Sequence, residues 1–111
     1  MLSFQRLDVY RCAIQFVAFT VTLAKAPRGY APLLDQLRRA APSVSLNIAE
    51  AAGRTTATDA ARAYAIARGS AMECAAILDV MKELGAVEEE AYGCGTALIE
   101  RVVSMLTKLC R

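Results

Sequence analysis

The stretch RRAAPSVSLNIAEAAGR, residues 38–54, sets a proline, two serines, an asparagine and a glutamate inside what otherwise reads as a long apolar helix. Asn47 and Glu50 are three residues apart and share a helix face. Glu50 stands four residues before Arg54, the favourable orientation for a helical ion pair. Pro42 removes the bond to the carbonyl four residues back, which predicts a bend over 38–42 within one helix. The serine hydroxyls, Ser43 among them, and the Asn47 amide are then available to satisfy the carbonyls that a bend exposes.

Outward from this stretch, proline in a first turn places the start of the same helix near Pro32, and Gly53 places its end at Ala52. Before it, Ser3 is the expected cap of a first helix that continues to about residue 24, with Leu7, Tyr10, Ile14, Val17, Val21 and Ala24 recurring at three- and four-residue steps. The loop KAPRGYAP ends that helix. After it, Thr56 or Thr58 caps a third helix running to about Leu84, where Gly85 stops it. Glu88, Glu89 and Glu90 suit the start of a fourth helix, because the macrodipole favours negative charge there. Gly93 and Gly95 in that region predict either a close backbone approach or a later start near Thr96. The 22 alanines and the lack of two-residue alternation agree with an all-α chain. Four helices with short connections predict a single domain, 1–111, folded as an antiparallel up-down-up-down four-helix bundle.

If the second and third helices form a hairpin turning near residue 55, facing positions sum to about 111. Asn47 then lies near Tyr64, Glu50 near Arg62 and Arg39 near Glu73. Pro42 and Ser43 fall opposite Gly69 and Ser70, which predicts a close crossing at Gly69. Glu73, paired in this way, is expected to support stability.

Composition removes several classes of function. The chain has no histidine, and its four cysteines, Cys12, Cys74, Cys94 and Cys110, form no CxxC pair. Zinc spacings are therefore absent, and Glu50 with Glu73 lacks the Glu-x-x-His partners of a di-iron bundle. No metal, cofactor, nucleophile or glycine-rich phosphate loop stands out, and the expectation is a protein without enzymatic activity. The longest apolar run, residues 12–24, is interrupted by Gln15, Thr20 and Thr22 and falls short of a membrane span, so the chain reads as cytoplasmic. Hydrophobic residues nevertheless make up 56% of the chain, with a mean hydropathy of +0.33. On the third helix Tyr64, Ile66, Met72, Ile77, Leu78, Val80 and Met81 point in too many directions for one buried stripe, so a second apolar face is expected to meet a partner. A net charge of +2 does not announce a nucleic-acid binder, and the absence of tryptophan leaves few stacking platforms. Basic residues gather at Arg38 with Arg39 and at Lys25 with Arg28.

The segments LRRAAPSVSLNIAEAAGR (37–54) and AYAIARGSAMEC (63–74) resemble the family of intervening-sequence proteins encoded within insertions in bacterial large-subunit ribosomal RNA genes. The resemblance is carried by Arg38, Arg39, Ser43, Asn47, Ile48, Ala49, Glu50, Arg54, Ile66, Ala67, Gly69, Ser70 and Glu73. It extends to the amino-terminal pattern of Phe4, Leu7, Val9, Tyr10 and Ala13, and Ala51 departs from the family's usual glycine. The resemblance implies a four-helix bundle assembling into a ring-shaped homopentamer, as in the similar accessory proteins of diversity-generating retroelements, which bind a reverse transcriptase and nucleic acid. It implies no established enzymatic activity, and a part in RNA metabolism. Ser43, Asn47, Glu50, Arg54, Gly69, Ser70 and Glu73 then form a structural polar motif. Arg38 and Arg39 are the candidates for contact with RNA or a ribonucleoprotein partner. The alternative is a protein-interaction adaptor with no nucleic-acid role.

Overall fold

The computed structural model describes residues 1–24 and 29–111. The loop that ends the first helix runs through Lys25, Pro27 and Arg28, which lie outside the described residues. A short 3₁₀ helix, Ser3–Arg6, precedes four α-helices: α1 Asp8–Thr22, α2 Ala31–Ala52, α3 Ala57–Glu83 and α4 Glu89–Leu109. No strand occurs among the described residues.

The first helix begins later than its sequence suggests. Leu7 is extended (φ −70°, ψ 130°) and separates the 3₁₀ helix from α1, and no side chain caps α1. The Leu7 N–H is taken by the Phe4 carbonyl at 3.0 Å, and the Phe4 ring turns back edge-on to Tyr10 with centroids 4.9 Å apart. That aromatic contact competes with the helical path a Ser3 cap would have started. The buried stripe is also rotated. Val9, Cys12, Ala13, Phe16, Phe19 and Thr20 face the core, while Ile14 and Val21 of the expected stripe are exposed. Both stripes have helical spacing, so periodicity could not choose between them.

Helix α2 is one unbroken helix with Pro42 inside it and a proline in its first turn. Thr56 caps α3 by accepting a hydrogen bond from the Asp59 N–H at 3.1 Å. Gly85 ends it in a left-handed conformation (φ 69°). The Ala86 N–H then reaches the Met81 carbonyl at 2.7 Å and the Gly85 N–H reaches Lys82 at 3.0 Å, which together satisfy the last carbonyls. Helix α4 starts at Glu89 and passes through both Gly93 and Gly95, so the later start at Thr96 is not used.

The helices pack in a closed cycle, α1 on α2, α2 on α3, α3 on α4 and α4 on α1, with the α2–α3 contact the most extensive. One core results, centred on Phe16, Leu37, Ile48, Leu78, Met81, Ile99 and Leu106. The buried faces of α2 and α3 are rich in small residues, among them Ala40, Ala41 and Ala51 against Ala63, Ala67 and Ala71. Small side chains let two helix axes approach closely without loss of contact. The buried polar side chains Thr20 and Ser45 donate to the carbonyls of Val17 (2.7 Å) and Pro42 (2.9 Å), and no buried side-chain nitrogen or oxygen among the described residues is left unpaired. Among the described residues no helix is long and apolar enough to cross a membrane.

Candidate functional site

The motif on α2 divides into two parts that do different things. In its first half, Arg38 is turned inward. Its Nε donates to the Thr20 carbonyl and its Nη2 to the Leu23 carbonyl, each at 3.1 Å. The last turn of any helix leaves carbonyls without intrahelical partners, and a planar, permanently charged guanidinium supplies two donors in a fixed fork. Arg38 thus seals the end of α1 against α2. Its neighbour Arg39 is exposed. Ordinary helical rotation, 100° per residue, separates two adjacent arginines that the sequence presents as a pair.

The polar residues around Pro42 bond within their own helix. Ser43 Oγ donates to the Ala40 carbonyl at 2.6 Å, and Asn47 Nδ2 donates to the Ser43 carbonyl at 2.7 Å. Among the described residues no side chain donates to the Arg38 carbonyl that Pro42 leaves without its N–H. The expected rescue of that carbonyl is therefore replaced by extra bonds to its neighbours, since a side chain at i+3 or i+4 reaches only the carbonyl one turn back.

In the second half of the motif, Asn47, Glu50 and Arg54 line a shallow cleft of about 160 Å³ together with Asp59, Arg62, Ala63 and Ile66 of α3. Glu50 and Arg54 form an ion pair in which both side chains are about half exposed. Arg62 shares the cleft but forms no ion pair with Glu50, whose carboxylate is taken by Arg54 just beyond the end of α2. At this exposure such a pair contributes a fraction of a kcal/mol.

The remaining expectations for α3 do not hold as interactions. Glu73 is exposed and forms no hydrogen bond or ion pair with Arg39 or any other described residue. Gly69 is exposed as well, and a Cβ built on it meets nothing within 4 Å. The close crossing lies elsewhere. A Cβ on Gly95 would stand 2.5 and 2.6 Å from the Phe19 ring and 3.1 Å from Leu78, so α4 presents bare backbone to an aromatic side chain of α1. Ser70 is half-buried beside Gly69.

Several contacts gave no signal in the sequence. Arg68 Nε donates to Thr107 Oγ1 at 2.8 Å, and Thr107 in turn donates to the Val103 carbonyl, joining α3 to α4. Tyr92 donates its hydroxyl to Asp79 at 2.7 Å while Lys82 stands 4.3 Å over its ring. The Asp79 hydrogen bond holds the Tyr92 phenol above its ordinary range. Burial, with a smaller push from the Glu73 carboxylate, raises the Cys74 thiol to about 12. Cys74 is thereby a protonated core residue rather than a nucleophile. Among the described residues no three His, Cys, Asp or Glu side chains converge as metal ligands would.

The apolar surface divides as the excess hydropathy suggests. Tyr64, Ile77, Leu78 and Met81 of α3 are buried, while Ile66, Met72 and Val80 remain 45 to 55% exposed along its outer face. The fold and its motif define a small all-α, four-helix protein whose polar signature braces the helices and whose outer faces stay partly apolar. The chain belongs to the family of 23S rRNA-intervening sequence proteins, whose model matches residues 5–108. It is also similar to the crystal structure of a protein of unknown function from the S23 ribosomal protein family of Bacteroides thetaiotaomicron. The two share 19% identity with a TM-score of 0.79, over 93% of this chain and 98% of that one, a likeness that shows the fold alone. No curated protein matches the chain significantly.

Proposed function

We propose that this protein is a non-enzymatic scaffold, a single antiparallel up-down-up-down bundle that assembles into a ring-shaped homopentamer and holds RNA or a ribonucleoprotein partner. The observation that carries the assembly is the outer face of α3, where Ile66, Met72 and Val80 lie exposed with Ala65, Gly69 and Ala76 in a stripe interrupted by Glu73. An apolar stripe with small residues at its centre suits close packing of another helix, and a closed ring covers such a face in every copy. The ring of five follows the resemblance to the intervening-sequence family and to the retroelement accessory proteins. The RNA partner follows the family's link to 23S ribosomal RNA. The antiparallel course is supported by the short connections between α2 and α3 and between α3 and α4. The protein acts in the cytoplasm and needs no cofactor. Of the two motif arginines, Arg39 is the one whose guanidinium is exposed for a partner.

The test is the absolute mass in solution by light scattering at low and high salt, with absorbance at 260 and 280 nm on the same peak. A pentamer carrying a high 260 nm signal at low salt supports the scaffold. A clean pentamer that never retains nucleic acid moves the reading to a protein-interaction adaptor. A monomer removes the ring.

A further inference from the structure

The net charge of +2 conceals a strong separation of charge along the bundle. Contacts between helices place their ends. Arg38, in the first half of α2, bonds to the last turn of α1, and Phe19 of that turn lies against Gly95 in the first half of α4. At the other end Arg54 and Arg62 share one cleft, Arg68 bonds to Thr107, and Asp8 and Arg11 share a cleft with Arg101. The second end therefore gathers Arg6, Arg11, Arg54, Arg62, Arg68, Arg101 and Lys108 from the 3₁₀ helix, α1, α3, α4 and the connection between α2 and α3. Against these seven cations stand four carboxylates, Asp8, Glu50, Asp59 and Glu100. The first end has the opposite balance among the described residues, with Asp35, Asp79, Glu83, Glu88, Glu89 and Glu90 against Lys82 and the inward-turned Arg38.

Building on the proposed RNA-scaffold role, we infer that the basic end of the bundle, and not the Arg38–Arg39 pair, is the surface that contacts the phosphate backbone of nucleic acid. Arg38 is spent on the carbonyls of α1, and Arg39 stands near the middle of α2. At the basic end the side chains other than Arg68 are exposed. The cross-section of the bundle is about 23 by 19 Å, wide enough to lie along several successive phosphates of one strand. Six of the seven cations are arginines, whose planar donors match phosphate oxygens two at a time. Few aromatic groups accompany them, so the surface holds backbone rather than reading bases.

Arg62 and Lys108 are exposed and have no hydrogen-bond partner among the described residues, so they can be changed without disturbing the core. Fluorescence anisotropy with fluorescein-labelled poly-uridine RNA, at about 50 and 200 mM salt, compares the full chain with R62Q/K108Q, R62E/K108E and R39Q. The expected result is a loss of affinity of about tenfold for R62Q/K108Q at the lower salt, with the salt slope flattened by about 1.4. R62E/K108E loses more, and R39Q stays within about twofold. Circular dichroism and solution mass confirm that each variant keeps the fold. Loss in R39Q with normal binding by R62Q/K108Q overturns this placement and leaves the RNA-scaffold reading standing. Absence of salt-dependent RNA binding by the unaltered protein overturns both. Poly-glutamate competing as well as RNA overturns the inference in favour of an acidic protein partner.

Discussion

Gly69 on α3 and Gly95 on α4 are both helical glycines, and their surroundings are opposite. Gly95 is buried, and its missing side chain makes the space that the Phe19 ring fills. Gly69 faces outward with open space around it. The crowded seam between α1 and α4 is a completed contact, whereas the outer face of α3 is an unfinished one. A glycine inside a helix costs about 1 kcal/mol relative to alanine, and only the first of these positions recovers that cost within a single chain.

Substitutions that act on one side of this contrast should differ in sign as well as size. Gly95→Val forces atoms into the Phe19 ring and Leu78, and urea denaturation is expected to show a loss of about 2–3 kcal/mol. A smaller loss, about 2 kcal/mol, is expected for Arg38→Ala, which strips the Thr20 and Leu23 carbonyls of their donors. Arg38→Lys, a single point donor, should recover only part of it. Cys74, on the inner face of α3, tests the seam through pH. Its native thiol keeps its proton where the unfolded one loses it, so stability is full below about pH 9 and falls as pH rises toward 12, by about 1.4 kcal/mol per pH unit. Cys74→Ala should remove that slope, and an unchanged alkaline profile in the variant would show that the thiol is not sheltered.

On the open face the signs reverse. Gly69→Ala should raise the stability of the folded chain by up to about 1 kcal/mol, because a methyl meets nothing and helix propensity improves. If a second copy packs closely on this face, the same change weakens assembly while the monomer gains, which mass measurements at several concentrations will separate. Glu73→Ala should have the smallest effect, within about 0.5 kcal/mol, since its carboxylate has no partner among the described residues. A larger loss would restore the pairing with Arg39 that the sequence suggests.

The helices themselves were legible because their signals are local. Thr56 three residues before Asp59, Gly85 after Leu84 and the glutamates at 88–90 act within one turn of chain, and each does in the structure what its neighbours in sequence predict. The motif was legible as a motif, and Glu50 does pair with Arg54, which follows the end of α2 only four residues further along the chain. Its longer-range partners were not. Two adjacent arginines look alike in sequence, and only the position of the end of α1 shows that Arg38 turns inward while Arg39 does not. The choice among exposed and buried stripes on α1 failed for the same reason, since Ile14 and Phe16 are equally apolar and differ only in what lies across from them.

Local chemistry in the sequence therefore determined an all-α chain of four helices, the Thr56 cap, the Gly85 stop and the ion pair between Glu50 and Arg54. The tertiary structure alone decided which glycine is filled, which arginine is spent on a carbonyl, and that among the described residues one end of the bundle carries an excess of arginines and the other an excess of carboxylates. The physical reason is range. Caps and i,i+4 pairs are settled across a few ångströms of one chain, whereas packing and charge distribution depend on which distant helices the hydrophobic core brings together.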